Sequence, residues 1–265
     1  MDTPLEGNRN FQELEKEILG LTETALSMFY PLYWRGIAAL KDSIKLLIEE
    51  ALAFPDQSKV TYTKVLLMLI NRCIQHTESS RLLLERGLYG DAAMLSRGTM
   101  SDLMMAEYLF HHPELLDMFW NEKEDDYQKN PAFKKAFHEG TMERDTVSRG
   151  RAPYGTAFRT LSKASHASAF GAQLFGSESS TGNGQYHFNY APRFEAKKAL
   201  GFSVVIVGGI LDMLIAILVH EQSVGGGDIP AKWKKVEQDI LQLEQEINIY
   251  TDAAKATLGS LWPKS

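Results

Sequence analysis

A single cysteine, Cys73, stands in 265 residues, so neither an intrachain disulfide nor a paired-cysteine zinc or redox motif can form. Cys73 lies within the apolar helical pattern of Leu66, Leu69, Ile70 and Ile74 and is expected to pack as a small hydrophobe. The chain also lacks the His-Glu-x-x-His pair of zincins, the Walker A phosphate loop and the Gly-x-Ser-x-Gly nucleophile elbow. No Glu-x-x-His pair is present, which removes the ligand pattern of ferritin-like metal bundles. The expectation is a protein with no metal and no cofactor. Residues 1–10 lack the basic, apolar and small-residue succession of a signal peptide, which leads to the expectation of a cytoplasmic protein. Strand-helix alternation and a fixed solenoid period are absent too.

What the sequence does contain is helical periodicity. The composition, 44% hydrophobic and 23% charged, is that of a chain able to bury a core. Apolar residues recur three and four apart over 11–28, 32–54, 59–86 and 92–111, with Pro31 ending or kinking the first of these segments. Gly87 is placed as a helix C-cap, and Gly90-Asp91 as a turn whose Asp91 caps the next helix. Helices are expected over 114–127, 131–143 and 154–174. His111 and His112, adjacent on a helix, point about 100° apart and read as a surface helix end. Residues 175–192 have no helical period and read as one long loop, with room for a short hairpin. The expected architecture is a single all-α domain over 1–265, a bundle of seven to nine helices, with a mobile basic linker at 129–153.

Two segments leave alternatives open. Residues 199–219 are apolar all round and as long as a membrane span, yet they contain Asp212, which is costly at a bilayer centre. They form either the central core helix or a membrane anchor. At 229–261 Trp233, Val236, Ile240, Leu243, Ile247 and Tyr250 form a coiled-coil-like seam, for docking along the bundle or for contact with a second copy or another protein.

One polar constellation carries chemistry. Arg159, Ser162, Lys163 and His166 stand at i, i+3, i+4 and i+7, which places them on one helix face. A histidine can act as general base on a ribose 2′-hydroxyl and as general acid on a leaving oxygen, while arginine stabilises the phosphorane charge. That is metal-independent RNA cleavage in outline. The competing reading ties Arg159 and His166 to acids such as Asp102, Glu107 or Asp212 inside the bundle, orienting helices. The net charge of −6 gives no global attraction to RNA, but from 134 to 163 seven Lys and Arg face three acids, Arg151 among the cations. Tyr186, in the loop, is a candidate for stacking unpaired bases, or a plug for the bundle.

Arg159 followed after six residues by His166 resembles the Arg-x(4 to 6)-His motif of the HEPN superfamily of helical RNases and nucleotide-binding proteins. The resemblance implies catalytic roles for Arg159 and His166, with RNA as substrate. It also implies a homodimer, because such sites are composite across two copies, and activity of a bacterial defence or toxin type, phage defence included. Residues 84–97, with Asp102, are similar to the Gly-x(4)-Ala-x-x-Leu-x-Arg-x(4)-Glu helix hairpin of an uncharacterised family of bacterial helical proteins. That family also carries a Leu-Ser-x-x-x-His element, here Leu161, Ser162 and His166. It implies a supporting polar role for Arg97 and Asp102. Arg97 and Asp102 are five residues apart, about 140° around a helix, so each is expected to face a different neighbour. Two functional readings stay open beside the RNase: a non-catalytic interaction or regulatory protein, and a membrane-associated one.

Overall fold

The computed structural model describes residues 26–53, 61–123, 129–150, 158–162, 176–178, 186–188 and 195–258. Eight α-helices are defined among them: α1 (Phe29–Leu52), α2 (Tyr62–Glu85), α3 (Tyr89–His111), α4 (Leu116–Trp120), α5 (Pro131–Ala136), α6 (Glu139–Ser148), α7 (Ala196–Val224) and α8 (Lys234–Leu258). Short 3-10 turns, Pro113–Leu115 and Ala231–Trp233, precede α4 and α8. A further helical turn covers 158–162. The fold is an all-α bundle. Inside the long non-helical stretch, strands β1 (Gly176–Glu178) and β2 (Tyr186–Phe188) pair antiparallel, with Glu178 opposite Tyr186.

Helix α7 is the axis of the molecule. It packs against α1, α2, α3 and α8, and no residue from Lys198 to Leu218 is classed as exposed. Four neighbouring helices cover part of this apolar helix, and 39% of its most apolar stretch is buried. By length and composition 198–224 could also cross a membrane, its most apolar 18 residues reaching a mean hydropathy of 2.6. Helices α2 and α3 form a tight antiparallel hairpin because α2 ends in a Schellman motif. Gly87 adopts φ 71°, its N–H donates to Leu84 O, and the Leu88 N–H donates to Leu83 O. α7 ends the same way, with Gly226 at φ 74° and the Gly227 N–H on Gln222 O.

The α8 seam is buried along its whole described length. Trp233 is fully buried, and Val236, Ile240, Leu243, Ile247 and Tyr250 follow it into the core against α1 and α7. Of the two readings of that seam, docking along the bundle is the one the fold adopts. Cys73 is also buried, its thiol pushed upward in pKa by burial.

Several local expectations are corrected. Pro31 lies in the first turn of α1, where its missing N–H has no intrahelical partner to lose, and the segment before 26 that it was expected to end or kink lies outside the described residues. Asp91 is not an N-cap, since α3 already begins at Tyr89 and Asp91 stands in its first turn. The charged helix expected over 114–127 is, as far as it is described, a 3-10 turn and α4, with 121–123 outside any helix and 124–127 outside the described residues. The basic linker at 129–153 is replaced over 131–148 by two helices, because Asn130 and His138 each cap a helix start and Phe133, Phe137 and Met142 are buried. The expected helix over 11–28 lies outside the described residues but for its last three, and 154–174 but for 158–162.

Candidate functional site

The site region is the place where turn 158–162 lands on α3 and α6. Its footing is apolar: Phe158 and Leu161 pack with Ala93, Met100 and Met104 of α3, and with Phe202 and Val205 of α7. Polar side chains then fix the landing. Arg97 of α3 donates from Nε to Ser162 Oγ at 3.0 Å and from Nη2 to Glu139 Oε2 at 2.5 Å. Its guanidinium also stacks 5.3 Å from the centre of the Phe158 ring. Ser101, one turn along α3, donates to the other Glu139 oxygen at 3.4 Å. Arg159 is ion-paired with Glu143, and more than half of its side chain, 56%, remains exposed.

The pattern has a simple origin. Glu139 and Glu143 stand at i and i+4 on α6, so one helix face presents two carboxylates. Arg97 from α3 takes the first and Arg159 from turn 158–162 takes the second. Ser162, three residues beyond Arg159, closes the triangle back to Arg97. Arg97 and Ser162, singled out in the sequence on separate grounds, are thus brought together. Arg149 is also paired, to Asp145 at 2.8 Å, so two of the three acids counted in 134–163 are taken up by arginines of the same stretch.

Asp102 faces elsewhere, as its spacing from Arg97 implied. It is buried between α3 and α2, 3.2 Å from Arg72 Nη2 and 3.8 Å from His76 Nδ1. Arg72 and His76 are again an i, i+4 pair, this time on α2. Burial raises the Asp102 carboxyl to about 6, with the nearby Arg72 pulling the other way, and burial lowers His76. Gly98 makes room for the imidazole: a Cβ there would stand 2.8 Å from His76 Nδ1. The bundle-locking alternative is therefore corrected in its partners. Asp102 is tied to α2, and the acid paired with Arg159 is Glu143.

Lys163, His166 and Arg151 lie outside the described residues, and Tyr186 is described only through its backbone in β2. Sequence reasoning did not find Glu139, Glu143, Arg72 or His76 as partners. The i, i+4 spacing of each pair was the available signal, but spacing names a face and not what lies across from it.

A second polar cluster joins the ends of α1, α2 and α7. Thr63 Oγ1 and His220 Nε2 are 2.9 Å apart, and Glu221 is 2% exposed with its Oε1 3.7 Å from that nitrogen. Glu50 lies beside Glu221 and accepts from Trp233 Nε1 at 3.3 Å, with Lys232 ion-paired to the same carboxylate. Burial, then the hydrogen bond and charge of Glu50, push Glu221 up to about 8. Glu50 shifts down: burial pulls it up, and its hydrogen bonds with Glu221, Lys232 and Trp233 outweigh that. Among the described residues no group of three or more His, Cys, Asp or Glu side chains is arranged to hold a metal ion.

Comparison with family models, with curated proteins and with solved structures yields no match for this chain.

Proposed function

We propose that the chain is a HEPN-like, metal-independent ribonuclease of a bacterial defence or toxin type. Arg159 holds the scissile phosphate, His166 moves the proton, and Ser162 and Lys163 position the RNA. One observation carries this reading: Arg159 is mostly exposed on a turn that Arg97 ties to α3 through a hydrogen bond to Ser162. A substrate phosphate needs a guanidinium that is both accessible and pre-positioned. The Glu143 partner does not stand in the way, since an ion pair at an exposed arginine is worth only about 0–1 kcal/mol and a phosphate can replace the carboxylate. On sequence spacing His166 shares the helix face of Arg159, two turns away. A composite site across two copies gives the homodimer, with one Arg159 and one His166 from each.

A non-catalytic reading has its own support. Arg97 spends its donors on Ser162 and Glu139, as a helix-locking residue would. Kinetics and melting of Arg159→Ala and Arg159→Lys separate the two. A phosphate clamp is expected to lose about 100-fold or more in RNA cleavage on Arg159→Ala, in the range seen for removing one transition-state donor. Arg159→Lys should recover part of that loss, and the melting temperature should hardly change. A large drop in stability with no cleavage to lose supports the scaffold instead.

A further inference from the structure

The polar cluster at the corner where α7 gives way to α8 takes no part in the site above. Glu221 is buried in the last turn of α7, and its Oε1 has no hydrogen-bond partner among the described residues. A buried carboxyl is costly unless it is neutral or paired, so the groups that face it decide its state. From α1 comes Glu50, whose carboxylate accepts the Glu221 proton in a hydrogen bond. From α7 itself comes His220, 2.9 Å from the Thr63 hydroxyl of α2 and packed 5.0 Å from the Tyr62 ring. Burial holds that imidazole toward its neutral form against the pull of Glu50, so it offers no charge. From turn Ala231–Trp233 comes Lys232, ion-paired to Glu50, with Glu49 also near it. One cation therefore faces the Glu50–Glu221 pair among the described residues. One of the two carboxyls has to keep its proton.

Glu50 is also what fastens the start of α8 to α1. Its carboxylate accepts from Trp233 Nε1 at 3.3 Å and from Lys232, both in the 3-10 turn that leads into α8, and from Glu221 at the end of α7. Three donors from two elements thus converge on one side chain. The link between those elements adds little of its own: residues 222–228 are exposed throughout, and Gly226 and Gly227 stand at positive φ. A segment with exposed backbone and few apolar contacts opens at low cost. Beyond the Glu50 bonds, the first turn of α8 is held by the burial of Trp233 and Val236.

We propose that the proton between Glu221 and Glu50 is a latch on the α7–α8 corner: while bound it holds the start of α8 against α1, and its loss in mildly alkaline solution lets the corner open. Deprotonation leaves two adjacent carboxylates and one lysine, and the hydrogen bond between the acids becomes a repulsion. Glu50 is the partner able to yield, since its side chain is already partly exposed while Glu221 is enclosed. When Glu50 turns to water with Lys232, the Trp233 indole N–H loses its acceptor. Opening then uncovers Trp233 and Val236, the apolar beginning of the α8 seam, while the middle of α7 stays packed. The upward push on Glu221, to about 8, sets the pH at which this happens. None of Arg97, Arg159 or Ser162 is a member of this cluster, so the latch is independent of RNA cleavage.

The test is amide hydrogen exchange of the full chain at pH 7 and pH 9, corrected for the intrinsic rate and read by peptide. Protection over 221–240 is expected to fall by about ten-fold between the two, the factor that one released proton supplies one pH unit above its pKa, while 206–217 in the middle of α7 keeps its protection. Glu221→Gln keeps a neutral donor toward Glu50 and should abolish the fall. Glu50→Gln removes the repulsion from the other side and should reduce it, which covers the case in which Glu221→Gln folds poorly. Three results overturn the proposal: protection over 221–240 that is the same at both pH values, a loss spread evenly over 206–217 as well, or a fall that persists unchanged in the folded variants.

Discussion

At the scale of single residues, the molecule places its costliest groups where helices meet. Glu221 is buried beside Glu50 at the junction of α1 and α7, and two adjacent carboxyls cannot both ionise cheaply. The consequence for stability has a definite sign. A carboxyl whose pKa rises from an ordinary 4.5 to about 8 on folding holds its proton more tightly in the folded chain. Its contribution is full below pH 4.5 and is lost as pH rises through about 8. Asp102, raised to about 6 by burial, adds a slope of the same sign over a lower window. Thermal melts from pH 5 to 9 check this. Glu221→Gln should flatten the decline and melt above wild type at pH 8, with little difference at pH 5. A wild-type curve that climbs steadily from pH 5 to 8 would contradict the assignment. The candidate site obeys the same residue logic, with Arg97, Glu139 and Ser162 satisfying one another and Arg159 left at the surface. Of these, the divergence of Arg97 from Asp102 was legible from a spacing of five. Glu143 as the partner of Arg159 was not, because which helix lies across from a face is settled by packing over the whole chain.

At the scale of elements, local chemistry explains most boundaries and one close approach explains a packing angle. α2 and α7 both end on glycines at positive φ, and Gly87 was legible as such a stop. The split of 131–148 into α5 and α6 was not foreseen, because the His138 side chain does the work of an N-cap by accepting from the Gly140 N–H, and histidine is a weak signal for that role. Likewise Pro31 was read only as a stop or kink although it also stands in the first turn of α1, since the same absent N–H serves both. At Gly36 α1 comes close to α7: a Cβ there would lie 2.6 Å from Ile210 Cγ2, a β-branched and fully buried side chain that would have to shift. Gly36→Ala should therefore destabilise the fold by about 1–3 kcal/mol, the usual range for overpacking, despite the better helix propensity of alanine. Denaturant titration reads the difference, and a stabilised variant would show that the two helices are looser than described.

At the scale of the whole molecule, one apolar core runs from Leu26 to Tyr250 and takes in residues of α1, α2, α3, α5, α6, α7 and α8. The periodicity of the long helices made this all-α organisation visible in the sequence, and the unbroken hydropathy of 199–219 marked its axis. The chemistry was less visible, since four residues on one helix face define a stripe and not a substrate. The central claim is that this bundle carries a metal-independent RNA-cleaving site built on Arg159 and His166, and the most direct measurement is incubation of the purified chain with total RNA in EDTA, wild type beside His166→Ala. The expected result is cleavage by the wild type that survives the chelator and falls by about 100-fold or more in the variant, as for loss of a general acid-base group. Intact RNA with both proteins, or equal cleavage by both, would contradict it.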